Sequence, residues 1–321
     1  MTRTTVVIPT YNGIKYIENC LKSLAVQDVD VDVIVVDNAS CDGTCDLIKE
    51  KFPKVKLIEL DSNTGFCHAM NVGMSNASTE YIFALNDDTE LLSDTVSKLE
   101  RVMDQHKEIF SVQAKMLKLT DRHVIDSAGD YYCALGWGYS KGKDKNASYY
   151  ETGVHNIFSA CAGACMYRKS VLNEIGMFDE NHFAYLEDVD LGYRAMIYGY
   201  KNVVSYDAVV YHAGSASSGS RYNEFKTRHS SRNSIYVIYK NMPLLQIIFN
   251  LLFLMIGYLI KIVFFYRKGL GKTYVKGILE GVGNCVKAGS PVKKVPFSSK
   301  RIVNYLKIQI LLWVNILRRF G

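Results

Sequence analysis

The sequence predicts an α/β fold followed by a helical tail that is both basic and apolar. Runs of β-branched residues alternate with helical periodicity through the first 120 residues, which is typical of βαβ units. Polar residues follow directly after several of these runs. Further along, the chain from Leu244 to Tyr266 is apolar, with Lys261 as its single charge. With 48% hydrophobic and 22% charged residues, the composition is globular and excludes a disordered chain.

Four strand–helix pairs are predicted in the first part of the chain. The first strand ends in the turn at residues 9–12, and the helix after it repeats apolar residues every three or four positions. The strands are Thr5–Ile8, Val31–Val36, Val55–Glu59 and Tyr81–Leu85, and the helices are Ile14–Ala25, Asp42–Phe52, Gly65–Asn76 and Ser93–Gln105.

The carboxyl ends of the predicted strands carry a group of polar side chains. Ligands of open α/β sheets bind outside these ends. Here the ends carry Tyr11, Asp37 and the neighbours Asp87 and Asp88. We therefore expect these side chains to converge on a ligand site.

The regular alternation is lost between about residues 110 and 220. Residues 130–150 mix Tyr, Gly and Lys around Trp137, which suggests a loop that contacts a ligand or packs on the sheet. The Gly- and Ser-rich residues 214–220 suggest a flexible loop. Later helices are predicted at Val171–Ile175, Asp188–Tyr198 and Arg228–Lys240, followed by the apolar segment and a basic tail that ends in Ile302–Arg319.

Charge is divided unevenly along the chain. The net charge is +6, but residues 221–321 hold 18 basic and two acidic residues, whereas residues 1–220 hold 20 basic and 30 acidic ones. A basic tail predicts an anionic partner, either nucleic acid or a membrane surface. Because a nucleic-acid-binding arm does not need the apolar segment, the sequence favours an anionic membrane surface and no nucleic acid.

The eight cysteines form no CxxC pair, and the CxxxC spacings lack partners at zinc-site distance. This pattern predicts reduced thiols in a cytosolic setting. We expect no signal peptide, because Thr5–Pro9 already has the character of a buried strand.

Six segments give a more specific signal when taken in order. They are VVIPTYN (6–12), VVDNASCDGT (35–44), NTGFCHAMNVG (63–73), ALNDDTEL (84–91), GMFDENHFAYLEDVDLGYRA (176–195) and YHAGSAS (211–217). Over residues 5–233 they resemble family 2 glycosyltransferases, especially the rhamnosyltransferase-like members that build bacterial polysaccharides. The resemblance implies a glycosyltransferase-A catalytic domain at 1–233, a Rossmann-like mixed sheet flanked by helices. Its nucleotide-binding half is expected at about 1–110 and its acceptor half at about 111–233.

The resemblance implies a metal site after the fourth strand. The family holds Mg²⁺ or Mn²⁺ there with a DxD-like element, and Asp88 matches its last Asp, while Asn86 stands at its first position. Oxygen ligands suit these cations, which neutralise a leaving diphosphate. His212 is expected to complete the site. The alternatives are an Asp88 helix cap and a structural His212.

A catalytic carboxylate pair is implied by the Glu-Asp motif that opens a helix. Inverting transfer needs a base for the proton of the acceptor hydroxyl, and Asp188 matches the family's base. Glu187 is expected to contact the acceptor or orient the site. The alternative is an acidic first turn that complements the helix dipole.

The remaining expected contacts are with a nucleotide-diphosphate sugar donor. Asp37 is expected to hydrogen-bond a pyrimidine ring that Pro9 and Tyr11 flank. Five other residues are expected to contact the donor. Asn63 and Gly65 lie in a loop before a helix and Asn71 lies inside that helix, while Asp87 precedes Asp88 and Gly163 lies in a run of small residues.

The loop at 214–225 is expected to close over the donor and exclude water. Arg228 and Arg232 are expected to reach the diphosphate from there. The alternative for both is a charge that faces the membrane.

Residues 234–321 are predicted to associate with the membrane. The apolar segment would form a helix of roughly 35 Å, against a bilayer core of about 30 Å. Because basic residues flank both of its ends, one crossing cannot keep them all on the cytoplasmic side. We therefore expect a peripheral or monotopic arrangement on the cytoplasmic face of the cell membrane. A single span is one alternative, and a buried core helix or oligomer interface is the other.

The prediction is an inverting, metal-dependent hexosyltransferase. It moves a sugar, with L-rhamnose from dTDP-L-rhamnose expected first, onto a hydroxyl of a lipid-linked saccharide in the synthesis of a cell wall, capsule or O-antigen polysaccharide. UDP-hexose or UDP-galactofuranose is the alternative donor. A non-catalytic membrane scaffold of a polysaccharide assembly complex is the alternative of another class. A scaffold predicts eroded site carboxylates, whereas Asp37, Asp88, Glu187 and Asp188 are all present.

Overall fold

The computed structural model describes residues 2–214 and 222–320. Its strands are β1 (Thr4–Thr10), β2 (Val31–Asp37), β3 (Lys56–Glu59), β4 (Tyr81–Leu85), β5 (Thr89–Leu91), β6 (Ile109–Lys118), β7 (Asp121–Ser127), β8 (Asp130–Cys133), β9 (Trp137–Ser140), β10 (Val154–Ile157), β11 (Ala164–Arg168) and β12 (Lys201–His212). Its α-helices are α1 (Ile17–Ala25), α2 (Thr44–Lys51), α3 (Phe66–Asn76), α4 (Thr95–Gln105), α5 (Lys169–Ile175), α6 (Glu187–Tyr198), α7 (Glu224–Asn241), α8 (Leu244–Arg267), α9 (Gly271–Val286) and α10 (Ile302–Phe320).

Ten of the strands form one mixed sheet. Its main order is β10-β12-β6-β11-β4-β1-β2-β3, with β5 paired to β12 and β7 paired to β6. The neighbours β4, β1, β2 and β3 are parallel, whereas β11 runs antiparallel between β4 and β6. Since β12 is parallel to β6, its carboxyl end lies at the same edge as the ends of β1, β2 and β4. The sheet therefore brings distant parts of the chain to one edge.

Helices cover both faces of this sheet. In β1, Val7 faces a core with Met70 of α3 and Leu191 of α6, while the adjacent Ile8 faces a core with Leu21 of α1 and Leu99 of α4. This alternation follows from the two-residue period of a strand. It explains why the predicted strands are nearly continuous hydrophobic runs, as expected for a sheet buried on both faces.

Most predicted elements are present, with shifted ends. The structure differs at residues 130–150, where part of the expected loop forms the separate hairpin β8–β9. The sequence interpretation also omitted α9, which contains several glycines. Arg228–Lys240 proved to be the inner part of the longer α7. In the loop predicted at 214–225, residues 215–221 lie outside the described residues.

Helix α7 joins the sheet domain to the helices that follow. Its residues contact α6 on one side and α9 on the other. Gly277 and Gly281 of α9 let that helix approach the backbone of α7 at Arg228 and Arg232 closely, because a Cβ atom at either glycine would clash there. The predicted boundary at 233/234 lies within this helix.

A buried ion network fixes α7 against α6. Asp190 is fully buried and accepts hydrogen bonds from Arg194 at 3.0 Å, Lys240 at 3.0 Å and Asn241 at 2.8 Å. Lys240 also contacts Asp179 at 2.7 Å. Burial opposes ionisation of Asp190, but the charges of Lys240 and Arg194 hold its pKa below the usual range. The network therefore ties α7 to the first turns of α6.

The C-terminal helices share a core with the β8–β9 hairpin. Leu254 of α8 and Leu312 of α10 belong to the same buried cluster as Tyr132 of β8 and Tyr193 of α6. Polar contacts add to this packing, because the indole of Trp137 donates to the Gly257 carbonyl at 3.1 Å. The helices therefore support a hairpin that lies beside the sheet edge.

Candidate active site

A cavity of about 820 Å³ opens at the carboxyl edge of the sheet. Strand ends form one wall, and the hairpin β8–β9 and the start of α6 form another. Ten of the predicted site residues line it: Pro9, Tyr11, Asn63, Gly65, Asp87, Asp88, Gly163, Glu187, Asp188 and His212. The edge predicted from the strand ends is thus the edge where the structure has its cavity.

Asp88 and His212 lie together on one side of the cavity. The Nε2 atom of His212 is 3.1 Å from Oδ1 of Asp88, and its Nδ1 atom donates to Oδ2 of Asp126 at 2.7 Å. Burial by itself lowers the pKa of His212, but hydrogen bonds to Asp126 and Asp88 outweigh burial and raise it to about 9. Lys143 contacts Asp126 at 2.9 Å. Positive charge therefore balances the carboxylates on this side.

The side chains at this position suit a divalent metal ion. Asp88 offers a carboxylate oxygen, and His212 offers Nε2 once a metal ion displaces the proton on that nitrogen, a donor set that Mn²⁺ and Mg²⁺ can use. Asp126 holds the other ring nitrogen, as carboxylates commonly do behind a metal-binding histidine. Burial also raises the pKa of the adjacent Asp87 to about 6, although a hydrogen bond from Thr10 opposes that rise. Negative charge is thus poorly solvated here, and a cation would relieve it.

Three carboxylates meet on the other side of the cavity. Side-chain ligand atoms of Asp130, Asp188 and Cys161 all lie within 4.8 Å of one another, and Glu187 precedes Asp188 in the first turn of α6. Burial raises the pKa of Asp188 well above its usual range, and the charges of Glu187 and Asp130 add to it. Burial likewise raises the pKa of Glu187 to about 7 and that of Asp130 to about 6. A carboxylate in this environment is a stronger base than one in water.

The backbone before this carboxylate pair is strained. Phe183, Tyr185 and Leu186 all have positive φ angles, of 62°, 74° and 65°. Each such non-glycine conformation costs on the order of 1–3 kcal/mol and persists only when its surroundings hold it. Strain of this kind is concentrated at functional sites.

The turn at Asn63–Gly65 forms part of the donor side of the cavity. Asn63 accepts the Gly65 N–H at 3.0 Å, and Asn38 accepts the Thr64 N–H at 3.1 Å. Gly65 has φ = +89°, and a Cβ atom there would lie 2.6 Å from the ring of Phe183. Only glycine combines this backbone with such close packing.

Tyr11, Gly163 and Asp87 also line the cavity. Tyr11 is 41% exposed, so its ring is open to a ligand. A Cβ atom at Gly163 would lie 3.1 Å from the Asn86 amide, so close packing already accounts for this glycine. Asp87 accepts a hydrogen bond from Thr10 at 2.6 Å.

Four of the predicted donor-binding residues do not line this cavity. Asp37 is buried and accepts the Ser40 N–H at 2.8 Å, and Asn71 bonds the Phe178 backbone at 2.9 and 3.1 Å. Arg228 forms a two-pronged ion pair with Glu280. Arg232 donates to backbone carbonyls at 181 and 182.

Sequence reasoning missed Asn38, Asp126 and Asp130. Asn38 directly follows Asp37 at the end of β2, so the rule that polar residues at strand ends face the ligand site could have predicted it. Asp126 and Asp130 flank the turn between β7 and β8, in a region with no strong periodicity. Only the three-dimensional structure brings them to His212 and Asp188.

Comparison with known proteins identifies the family. The model of the family described as "Glycosyl transferase family 2" matches residues 5–176. The chain belongs to glycosyl transferase family 2. It is 24% identical over 240 residues to the N-acetylglucosaminyl-diphospho-decaprenol L-rhamnosyltransferase of Mycobacterium tuberculosis, covering 67% of this chain and 77% of that protein.

A second relative is matched over a short part of its length. The chain is 32% identical over 102 residues to the teichoic acid poly(glycerol phosphate) polymerase of Staphylococcus epidermidis. This match covers 30% of the chain but only 14% of that protein. The similarity to that polymerase is therefore limited to the matched residues and does not extend to the rest of either chain.

A solved structure confirms the predicted glycosyltransferase-A fold. The mannosyltransferase PcManGT from Pyrobaculum calidifontis, in complex with GDP-Man and Mn²⁺, superposes with a TM-score of 0.56. The superposition covers 97% of this chain and 84% of that chain at 17% identity. The predicted α/β architecture with additional C-terminal helices is present in this chain.

The carboxylate cluster predicts a pH-dependent effect of Asp130→Asn on stability. A carboxyl group whose pKa is raised in the folded state destabilises the protein when it ionises. Its stabilising contribution is lost as the pH rises from the pKa of the unfolded state, about 4, through the pKa of the folded state. For Asp130 that window runs from about pH 4 to about 6, and for Glu187 to about 7. We therefore expect Asp130→Asn to raise the free energy of unfolding relative to wild type by about 1–2 kcal/mol more at pH 8 than at pH 5, the free energy to which a pKa change of about one corresponds.

Thermal unfolding of both proteins at pH 5 and pH 8 measures this difference. Asp32→Asn, which changes an exposed carboxylate at the opposite end of β2, is the control and should show no pH-dependent gain. An equal effect of Asp130→Asn at both pH values would refute the mutual repulsion inferred here.

Proposed function

We propose that the protein is an inverting, metal-dependent glycosyltransferase of cell-wall polysaccharide synthesis. It transfers a sugar from a nucleotide-diphosphate donor to a hydroxyl of a lipid-linked saccharide. The observation that carries the proposal is the pairing of two unlike groups across one cavity. Asp88 with His212 forms one group, Asp188 with Glu187 and Asp130 forms the other, and all five residues line the same cavity.

The donor occupies the side formed by the strand ends. Asp88 and His212 would hold Mg²⁺ or Mn²⁺, which neutralises charge on a leaving diphosphate. Pro9 and Tyr11 contact the base, and the turn with Asn63 and Gly65 offers backbone to the donor. We assign no donor role to Asn71, Arg228 and Arg232, whose side chains have the other partners described above. Asp37 contributes by shaping the end of β2 through its bond to Ser40.

The acceptor hydroxyl approaches Asp188. In its ionised form this carboxylate accepts the hydroxyl proton, and the buried site makes it a strong base. Glu187 and Asp130 face the same acceptor and hold its hydroxyls. Single displacement with inversion requires no covalent enzyme intermediate, because the base and the aligned donor suffice.

The donor proposal rests on the relatives. L-Rhamnose from dTDP-L-rhamnose is the first choice, because the relative matched over 77% of its own length is named for the transfer of L-rhamnose to N-acetylglucosaminyl-diphospho-decaprenol. UDP-hexose or UDP-galactofuranose remains the alternative. The alternative of a non-catalytic scaffold fits less well, because the buried carboxylates are costly to retain without a use.

Release of nucleoside diphosphate tests the proposal. Full-length protein in detergent is incubated with Mn²⁺ or Mg²⁺ and dTDP-L-rhamnose, UDP-hexoses, UDP-galactofuranose or GDP-mannose, with and without polyprenyl-diphosphate-linked N-acetylglucosamine. We expect release from one donor, dependent on acceptor and abolished by EDTA. Asp188→Asn and Asp88→Ala should each lower the rate at least about 100-fold, the usual contribution of a general base or charge-stabilising group.

The exposed Asp32→Asn serves as the matched carboxylate control and should retain the wild-type rate. The anomeric configuration of the product, read by NMR, tests inversion. Turnover that survives EDTA and both site substitutions would contradict the roles assigned here, and no release from any donor would favour the scaffold.

We also propose that the C-terminal helices bind the cytoplasmic surface of an anionic membrane. Within the described residues, α8 is the one helix long and apolar enough to cross a bilayer, which is weak evidence on its own. Its polarity is more informative. Leu245, Phe249 and Leu252 are 66–69% exposed, whereas the polar Gln246 and Asn250 are buried. A helix with apolar residues outside and amides inside is suited to an apolar surrounding.

Helix α10 continues this arrangement. Leu306, Ile310 and Leu317 are exposed, whereas Gln309 and Asn315 are buried. Asn250 and Gln309 exchange reciprocal hydrogen bonds of 2.8 Å between the two helices. Basic residues occur along the exposed edges, at Lys307, Arg318, Arg319, Arg267 and Lys268. This combination favours interfacial binding over a single span.

Flotation with lipid vesicles tests the membrane proposal. Wild-type protein should float with vesicles that contain phosphatidylglycerol and bind less to pure phosphatidylcholine, because anionic headgroups attract the basic edges. The double variant Leu252→Glu/Leu259→Glu should bind at least about tenfold more weakly, since each leucine loses apolar burial.

Val26→Glu places one such negative charge on a residue of similar exposure in the sheet domain and is compared with Leu252→Glu alone as well as with the double variant. It should float like the wild type. Equal flotation of all four proteins would reject α8 as the binding surface.

A further inference from the structure

The strained segment that precedes the Glu187–Asp188 pair is held by one side chain. Asn233 of α7 is fully buried, and its amide donates to the carbonyl oxygens of His182 at 2.9 Å, Ala184 at 2.8 Å and Tyr185 at 2.8 Å. Two N–H groups thus serve three carbonyls in a segment of four residues. These carbonyls belong to the part of the chain whose φ angles are positive, so they are oriented away from any regular ladder.

Contacts around Asn233 leave its amide in one orientation. Its Oδ1 atom accepts from Nε of Arg232 at 3.0 Å, so its nitrogen faces the carbonyls. Arg232 also donates to the Asn181 and His182 carbonyls at 3.1 and 2.9 Å. Asn233 and Arg232, which are adjacent on α7, together donate five hydrogen bonds to carbonyl oxygens of residues 181–185. Because its guanidinium is used in this way, Arg232 does not face the cavity.

Helix α7 is itself fixed, so it can act as a support. Lys240 and Asn241 attach its end to Asp190 of α6. Nearer Asn233, Gly281 of α9 packs closely on the Arg232 carbonyl. On the cavity side, the ring of Phe183 stacks on His229 of the same helix.

The segment leads directly into the acidic pair. Leu186 is the residue before α6, and its carbonyl accepts the N–H of Asp190 in the first helical turn. Any change in the backbone at 182–186 therefore changes where the helix begins and where the carboxylate of Asp188 lies.

We propose that Asn233 is a positioning residue for sugar transfer, which holds residues 182–186 in their strained form and thereby aligns the Glu187–Asp188 pair with the acceptor. This inference rests on the proposed function of Asp188 as the base. Asn233 touches no reacting atom in this account. Its main effect is on the chemical step, because Asp88 and His212, the proposed metal ligands, lie in the turn after β4 and at the end of β12, outside residues 182–186. The donor turn at Gly65 does pack on Phe183, so a smaller rise in the donor KM accompanies the fall in kcat.

Kinetics of Asn233→Asp test the proposal, because this substitution keeps the shape but removes both N–H donors. With the donor that nucleoside diphosphate release identifies, we expect kcat to fall 30- to 100-fold. The KM for the donor, and the Kd of its nucleoside diphosphate with Mn²⁺, should stay within threefold of wild type. Asn233→Ser keeps one donor and should lose five- to tenfold in kcat, and it replaces Asn233→Asp if that variant does not fold.

Asn241→Ser is the matched control. It alters another buried amide of α7 that bonds Asp190 rather than the strained turn, and the ion pair of Asp190 with Lys240 still fixes α7 against α6 in this variant. Its kcat should stay within threefold of wild type even where its melting temperature falls as far as that of Asn233→Ser. Equal losses of kcat in Asn233→Ser and Asn241→Ser, or a rise in KM without a fall in kcat, would overturn the proposal.

The activity of Asp188→Asn and hydrogen exchange together separate failure of this inference from failure of the proposed function. If Asp188→Asn transfers sugar like the wild type, Asp188 is not the base, and the positioning of Asp188 by Asn233 then has no effect on catalysis. If Asp188→Asn is inactive while Asn233→Asp is fully active, only the positioning role fails. Amide exchange at 182–188 should be at least tenfold faster in Asn233→Asp and unchanged in Asn241→Ser, and unchanged exchange in both would show that Asn233 does not hold the turn.

Discussion

The crowding of carboxylates at one sheet edge is the constraint around which this protein is organised. Asp87 and the trio of Asp130, Glu187 and Asp188 have raised pKa values, chiefly because burial removes them from water. Such groups are unstable neighbours unless the rest of the fold holds them in place. The two-sided core of the sheet supplies that stability on one side of the site, and the ion network of Asp190 with α7 supplies it on the other. The divalent cation of the proposed function would offset charge that the protein has already desolvated at this edge.

Much of the fold was predictable because its information is local. The strands β1 to β4 are hydrophobic runs and α1 has a clear apolar period, so their existence followed from the sequence with only their ends displaced. The hairpin β8–β9 was read as a loop, because its strands are short and it packs against α8 and α10, which lie over a hundred residues away. Helix α9 was missed because the glycines that let it approach α7 also weaken its helical signal.

Asp88 and His212 could be located because motif residues lie at strand ends, and Asp188 because its motif opens a helix; all three line the cavity, and their chemical roles are part of the proposed function. Asp126 and Asn233 could not be found in this way, since their partners lie 86 and about 50 residues distant in sequence. Arg232 shows the same difficulty from the other side. Its charge and position predicted a diphosphate contact, but the positive-φ segment nearby has carbonyls that need donors, and the guanidinium donates to them. A backbone need of this kind is invisible until the turn itself is known.

The C-terminal helices hold the hairpin β8–β9 in place. Tyr139 of the hairpin donates to the Asn315 carbonyl of α10 at 2.7 Å, and Asn315 donates to the Tyr132 carbonyl at 2.9 Å. The hairpin that carries Asp130 is therefore held by the same helices whose apolar faces point outward.

The most direct test of the central claim is anomalous diffraction from crystals grown with Mn²⁺ and a nucleoside diphosphate. The account predicts one manganese peak bonded to Asp88 and His212, with the diphosphate on it. A peak elsewhere in the cavity, such as between Asp130 and Asp188, would contradict it.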